Sequence, residues 1–246
     1  MAGRLMAWTT AWMALALASP APAAEIRLLS TNAAKTVLGE LGPQFEKTTE
    51  HKVVITWGTA AALKAQIEKG TAVDLALLTD SGVEDLIKQG KLKSRVAFAS
   101  SGIGVAIKRG APKPDLGSTE AFKKMLLDAK SIAWVEQGAS GIYLKGLFER
   151  LGIADQIKGK LKSVAAATPA VANGEAEIGF TQIAEILPYP GAEVAGPLPA
   201  DLQLTTVFAF GVGAQPQDAK AVEALVAFLT TPAAKAVIKA KGLDPR

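Results

Sequence analysis

The chain has no cysteine and a single histidine, His51, among its 246 residues. Without thiols there is no cysteine nucleophile, zinc–thiolate site, iron–sulfur cluster, disulfide or lipid-modified cysteine. One histidine removes most histidine-based metal sites, and any Ser-His-Asp triad has to use it. His51 follows Glu50 in the polar stretch 48–52, ahead of a strand-like run, which is the setting of a solvated turn. Charge of one sign is also scarce. The 27 basic and 23 acidic residues leave a formal net charge of +4, compatible with an anionic partner but giving no case for nucleic acid. The motifs G-x-S-x-G, S-x-x-K and H-E-x-x-H, the EF-hand loop and the phosphate-binding loop are all missing. Around Ser140 the chain reads GASGI, and Gly102-Ile103-Gly104 lacks the third glycine of a dinucleotide fingerprint.

What is present is a 49% hydrophobic chain with 23 glycines and 13 prolines, long enough for one large domain or two modest ones. Residues 1–23 carry Arg4, an apolar run over 5–18 and the small residues Ala21-Pro22-Ala23. That is the pattern of a secretory signal peptide cleaved before Ala24, since an apolar run of about 14 residues is short of the roughly 20 that span a bilayer. Export from the cytoplasm, to a bacterial periplasm or an extracellular space, is the expectation, and a Cys-free chain suits an oxidising compartment.

Past the leader, strand and helix patterns alternate. Strands are expected over residues 26–30, 52–57, 73–78, 131–135, 176–180 and 203–211, with 95–108 forming one or two more. Helices are expected between them. Pro43 makes the first imperfect. Thr59 and Ser118 are candidate caps, Asp80 is another, and Thr231-Pro232 opens the last helix. This alternation predicts an α/β class with mixed, mostly parallel sheets flanked by helices. Two Pro- and Gly-rich stretches, 110–117 and 188–200, bracket a central block, as in a chain that leaves one lobe, builds a second and returns.

Four strand-to-helix junctions share one chemistry: Ser30-Thr31-Asn32-Ala33, Trp57-Gly58-Thr59-Ala60, Gly138-Ala139-Ser140-Gly141 and Phe180-Thr181-Gln182. Each sets small residues with hydroxyl or amide groups at a helix start. The first helical N–H groups lack intrahelical partners and the dipole is positive there, so such ends bind anions without a formal cation. The same hydroxyls also serve as ordinary helix caps. Lys35 and Arg95 are the nearest basic residues in sequence, and surface solvation accounts for both.

The motifs WGTAAALKAQIEKG, GASGIYLKGLFERLGI, VANGEAEIGF and ALVAFLTTPAAKAVIKAKG, in that order, resemble the molybdate-binding-protein-like family of bacterial periplasmic substrate-binding proteins. The resemblance implies a two-lobed type II periplasmic-binding-protein fold, with 24–107 plus 203–246 in one lobe and 108–202 in the other. It implies a ligand in the cleft between them and delivery to an ABC-transporter permease. Position by position, it places the family's two serines at Ala33 and Ala60, its tyrosine at Gln182, and backbone donors at Ser140 and near Val164. Losing both serines and the tyrosine disfavours a tetrahedral oxyanion such as molybdate, whose buried charge needs full hydrogen bonding. The expected contacts are therefore the side chains of Asn32, Thr59, Ser140, Thr181 and Gln182, with the amides of Ala33, Ala60 and Val164. The expected protein is a monomeric, non-catalytic periplasmic binder of a small anion, an oxyanion or organic acid, without metal or cofactor. A periplasmic sensor or adaptor of the same fold, or a secreted hydrolase using Ser140, are the alternatives.

Overall fold

The computed structural model describes residues 23–246. The signal segment read at 1–23 lies outside the described residues, Ala23 excepted. The chain opens as β1 (Glu25–Thr31), α1 (Lys35–Thr49), β2 (Lys52–Gly58), α2 (Ala60–Glu68), β3 (Leu75–Thr79), α3 (Asp80–Lys88) and β4 (Leu92–Lys108). It continues as α4 (Thr119–Asp128), β5 (Ile132–Trp134), α5 (Ala139–Arg150), α6 (Ala154–Ile157), β6 (Leu161–Ser163), α7 (Ala167–Ala172), β7 (Ile178–Gln182) and α8 (Ile183–Ile186). It closes with β8 (Ala192–Pro197), β9 (Thr205–Gly213), α9 (Ala219–Leu229), α10 (Pro232–Ala240) and β10 (Asp244–Pro245).

Strands run in the order β2-β1-β3-β9-β4-β7-β5-β6, with β8 and β10 also paired to β4. The two ends of this order are parallel: β1 with β2 and β3, and β5 with β6 and β7. The middle is antiparallel and depends on β4. With 17 residues, β4 is far longer than a usual strand and spans about 55 Å when extended. Leu92–Gly102 pair with β9, whereas Ile103–Lys108 pair with β7 and β8. The packing changes at the same place. Phe98 and Ala99 lie in a core with Val37, Phe45, Phe208 and Phe210, while Ile103 and Val105 lie in another with Phe122, Phe148 and Phe180. A single continuous strand thus joins two separately packed sheets, each flanked by its own helices.

Local expectations are met where short-range chemistry decides. Thr59, Ser118 and Thr231 cap their helices by accepting from Ala62 N (3.2 Å), Ala121 N (3.1 Å) and Ala234 N (3.2 Å). Other expectations give way to tertiary packing. Asp80 is not the cap of α3; Thr79 accepts from Gly82 N at 3.3 Å. Asp80 is the first helical residue and pairs with Arg95. Helix α1 runs uninterrupted through Pro43, whose ring faces solvent while Leu41 and Phe45 on either side are buried. The Pro- and Gly-rich stretch 188–200, read only as bracketing a central block, contains β8. Pairing with β4 outweighs its turn-rich composition and buries Ala192 completely. His51 is only partly exposed; its Nδ1 accepts from Ala24 N at 3.1 Å and its ring stacks on Phe45.

One buried carboxylate ties distant segments together. Asp74 is 1% exposed. Its Oδ2 accepts from Arg27 N and Nε, and its Oδ1 from Arg27 Nη2 and Gln217 N, all at 2.8 Å. Burial alone would raise the Asp74 carboxyl. The guanidinium of Arg27 and the two backbone amides outweigh burial and hold it below the usual carboxylate range.

Candidate functional site

All four junctions singled out in the sequence open onto one small cavity between the two sheets. β1 delivers Thr31 and Asn32, β2 delivers Gly58, Thr59 and Ala60, the β5–α5 turn delivers Gly138, Ala139 and Ser140, and β7 delivers Thr181 and Gln182. They converge because parallel strands flanked by helices expose their carboxyl ends on one edge. The first sheet contributes β1 and β2, and the second contributes β5 and β7. The cavity measures about 40 Å³, room for roughly three water-sized groups.

The two full-length helices that begin here present different ends. In α2, Thr59 caps Ala62 N with its hydroxyl. In α5 the cap position is Gly138, which has no side chain to offer, so its first amides have no side-chain partner. Gly141 is needed for this end to sit where it does. A Cβ there would stand 2.0 Å from the carbonyl oxygen of Val135, in a turn already closed by Gly138 N donating to that oxygen at 2.9 Å.

Six of the eight expected contact residues line the cavity: Asn32, Thr59, Ala60, Ser140, Thr181 and Gln182. Two do not. Ala33 is 2% exposed and packed in the first core. The amide of Val164 donates to Trp134 O at 3.0 Å, extending the β5–β6 ladder, and so has no hydrogen left for a ligand. Its neighbour Ala165 reaches the wall instead. Ser140 is 4% exposed, and among the described residues no base is hydrogen-bonded to its hydroxyl, the first requirement of a serine nucleophile.

Gln182 is 3% exposed. Its Nε2 lies 3.2 Å from Thr206 Oγ1, and its Oε1 is buried without a partner. The two amide orientations have the same shape. Rotated by half a turn, Oε1 accepts the Thr206 hydroxyl proton and the NH2 group takes the other, buried position.

Sequence reasoning missed Glu185. Among the described residues it is the only ionisable one in the cavity wall. It sits on α8, held against β4 by the close approach of Ile183 and Ile186 to Gly104, where a Cβ would stand 2.8 Å from Ile183 Cγ1. Burial pushes its carboxyl up to about 7, against the opposing effect of a hydrogen bond with Thr181. The available signal was a lone carboxylate in the apolar turn Ile183-Ala184-Glu185-Ile186-Leu187. Lys35 is exposed and lines an adjoining cavity, and Arg95 is occupied by Asp80. Among the described residues, no three acidic or histidine side chains cluster closely enough to hold a metal ion.

A family model described as "Bacterial extracellular solute-binding protein" matches residues 26–244. A Pseudomonas protein named aconitate isomerase is 31% identical over 91% of this chain and 89% of its own length. The molybdate-binding protein ModA of Azotobacter vinelandii is 29% identical over 92% of each chain. Among solved structures, the A. vinelandii periplasmic molybdate-binding protein superposes with a TM-score of 0.73 at 24% identity. That superposition covers 89% of this chain and 98% of the other, a likeness of fold.

Proposed function

Because the chain belongs to the bacterial extracellular solute-binding protein family, we propose that it captures a small anion in the cavity between its two sheets. The observation that carries this reading is the convergence of four strand-to-helix junctions, from both sheets, on one small space whose described lining holds no formal cation. An anion there is held by backbone amides at the starts of α2 and α5 and by neutral side chains of Asn32, Thr59, Ser140 and Gln182. The volume suits a carboxylate group. The replacement of the family's two serines and tyrosine by Ala33, Ala60 and Gln182 supports an organic acid over a tetrahedral oxyanion.

In this reading the sheets are the cores of two lobes, dividing near residues 107 and 202, and they close on the solute by a hinge motion. The switch of β4 from one set of partners to the other at Gly102 and Ile103 supports that division. The protein works as an exported monomer in the periplasm, after loss of its signal peptide, and hands its solute to an ABC-transporter permease. Binding is the property common to the family; the name of the Pseudomonas relative adds a reaction to it.

Thermal melting with a panel of sulfate, molybdate and small mono-, di- and tricarboxylates tests the binding. A ligand at 100 times its Kd adds about 2.7 kcal/mol, so the midpoint is expected to rise by roughly 5–10 °C with a carboxylate. If every anion in the panel leaves the midpoint unmoved at millimolar excess, the cavity is not an anion site.

A further inference from the structure

Two residues of the cavity wall are shared with a second cavity. A second space of about 350 Å³ adjoins it, and Asn32 and Glu185 line both. Its wall carries Lys35, Thr36, Thr168 and Tyr189. Three buried side-chain polar atoms among the described residues have no hydrogen-bond partner: Thr36 Oγ1, Thr168 Oγ1 and Gln182 Oε1. All three belong to these two cavities, Gln182 in the first and the threonines in the second. Thr168 and Gln182 are each 3% exposed. Rotation of the Gln182 amide pairs its oxygen with Thr206, which leaves the two threonine hydroxyls. Unpaired buried polar atoms cost stability wherever they occur, so these two on one cavity point to a polar ligand that pairs them. A carboxylate fills the first cavity. Nothing that small also reaches Thr36, Thr168 and Lys35.

We infer that the solute is an unsaturated polycarboxylate lying across both cavities, and that Glu185, at the waist they share, moves a proton between two of its carbon atoms. The inference rests on the anion-binding reading and adds the ligand's size and a reaction. One carboxylate of the solute sits against the amides of α2 and α5. A second meets the hydroxyls of Thr36 and Thr168 and the ammonium group of Lys35. The carbons between them then lie beside Glu185. In its ionised form Glu185 takes a proton from a CH2 group that lies next to one carboxylate and adjoins the double bond. The C–H electron pair becomes the new double bond, and the old π pair takes the proton back from Glu185 at the far carbon. The double bond has moved by one position, Glu185 is again a carboxylate, and no oxidant, water or second substrate has been used.

The site has the features this proton transfer needs. Negative charge grows on the carboxylate next to the reacting carbon, where the helix-end amides stabilise it. A general base works best when its pKa lies near the ambient pH, and burial sets Glu185 at about 7. Among the described residues, the other ionisable ones lining either cavity are Lys35 and Tyr189. Glu185 is the ionisable residue common to both linings among the described residues, and a proton shift within one molecule requires a single group that takes the proton and returns it. That the Pseudomonas relative is named aconitate isomerase agrees with this chemistry.

The test incubates the purified protein with trans-aconitate in D2O and follows the proton NMR spectrum, with thermal melting in parallel. The wild type is expected to be stabilised by trans-aconitate, to interconvert the cis and trans acids and to wash deuterium into the CH2 position. Its kcat/KM should rise with pH and level off above an inflection near 7. Glu185→Gln is expected to lose turnover by about 100- to 10,000-fold. The same variant should still be stabilised by trans-aconitate, at least as strongly, because a negative charge has left the anion site. It is also expected to fold. The raised pKa means that ionisation of Glu185 costs stability as pH rises through about 7, so the glutamine should melt no lower than wild type at pH 8. Thr168→Val is expected to weaken stabilisation by the tricarboxylate more than stabilisation by acetate. Stabilisation by trans-aconitate with neither isomerisation nor exchange overturns the catalytic role, as does full turnover in Glu185→Gln. Stabilisation by acetate or sulfate but not by any polycarboxylate overturns the two-cavity ligand and leaves anion binding standing. No stabilisation by any anion overturns the binding reading itself.

Discussion

Replacing Asp74 with alanine is expected to lower stability by about 3–5 kcal/mol and the melting midpoint by roughly 10–15 °C. The magnitude follows from what is left behind. Asp74 is 1% exposed and accepts four hydrogen bonds at 2.8 Å, three from Arg27 and one from the amide of Gln217. Removing the carboxylate leaves a partly buried guanidinium and two amides unpaired at once. It also unties β1 from the segment leading into α9, which are 190 residues apart in sequence and both donate an amide to this carboxylate. The pH dependence has a definite sign. A carboxylate whose pKa is depressed in the folded state contributes fully above its ordinary value of 3.8, and that contribution is lost as pH falls through the folded value. The wild type should therefore lose this part of its stability only in strong acid, while Asp74→Ala shows the deficit already at neutral pH. Urea unfolding of both proteins at pH 7 and pH 3 measures it. Equal midpoints at pH 7 would show that the carboxylate is not the tie described.

Gly141→Ala is expected to abolish the thermal shift produced by anions and to destabilise the fold. Its Cβ would stand 2.0 Å from Val135 O, 2.8 Å from Val135 C and 2.9 Å from Glu136 Cα. All three are backbone atoms, so no rotamer change relieves the clash. Either the Val135–Gly138 turn opens or the first turn of α5 lifts away, and both movements displace the amides next to Ser140. Gly146 provides the control within the same helix, since a Cβ there meets nothing within 4 Å. Gly146→Ala is expected to keep the anion response and to gain about 0.5–1 kcal/mol, because alanine loses less backbone entropy in a helix. Parallel melts with and without ligand separate the two substitutions. A Gly141→Ala protein with wild-type melting and an intact anion response would remove α5 from the site.

Most of the fold was readable from neighbouring residues. The α/β alternation, the caps at Thr59, Ser118 and Thr231, and the small-residue junctions all arise within a few positions of one another, where propensity and capping act. Asp80 shows the limit of that reasoning. A carboxylate at a helix start looks like a cap, but the preceding Thr79 took the role and Asp80 turned to Arg95, 15 residues away. Val164 shows it within the site. Its position near a ligand was anticipated, but its amide was committed to Trp134 by the pairing of β5 with β6.

The order of residues along the chain determined which helix starts carry free amides and hydroxyls, and it excluded thiol chemistry and left His51 as the only histidine candidate. Those are local or compositional properties. Only the tertiary structure decided that the four starts face one space, that Thr36, Thr168 and Gln182 share the consequences of burial, and that Glu185 lies at their meeting point. Its proton affinity depends on how much water the packed sheets exclude, a property of the whole fold that no short stretch of sequence contains.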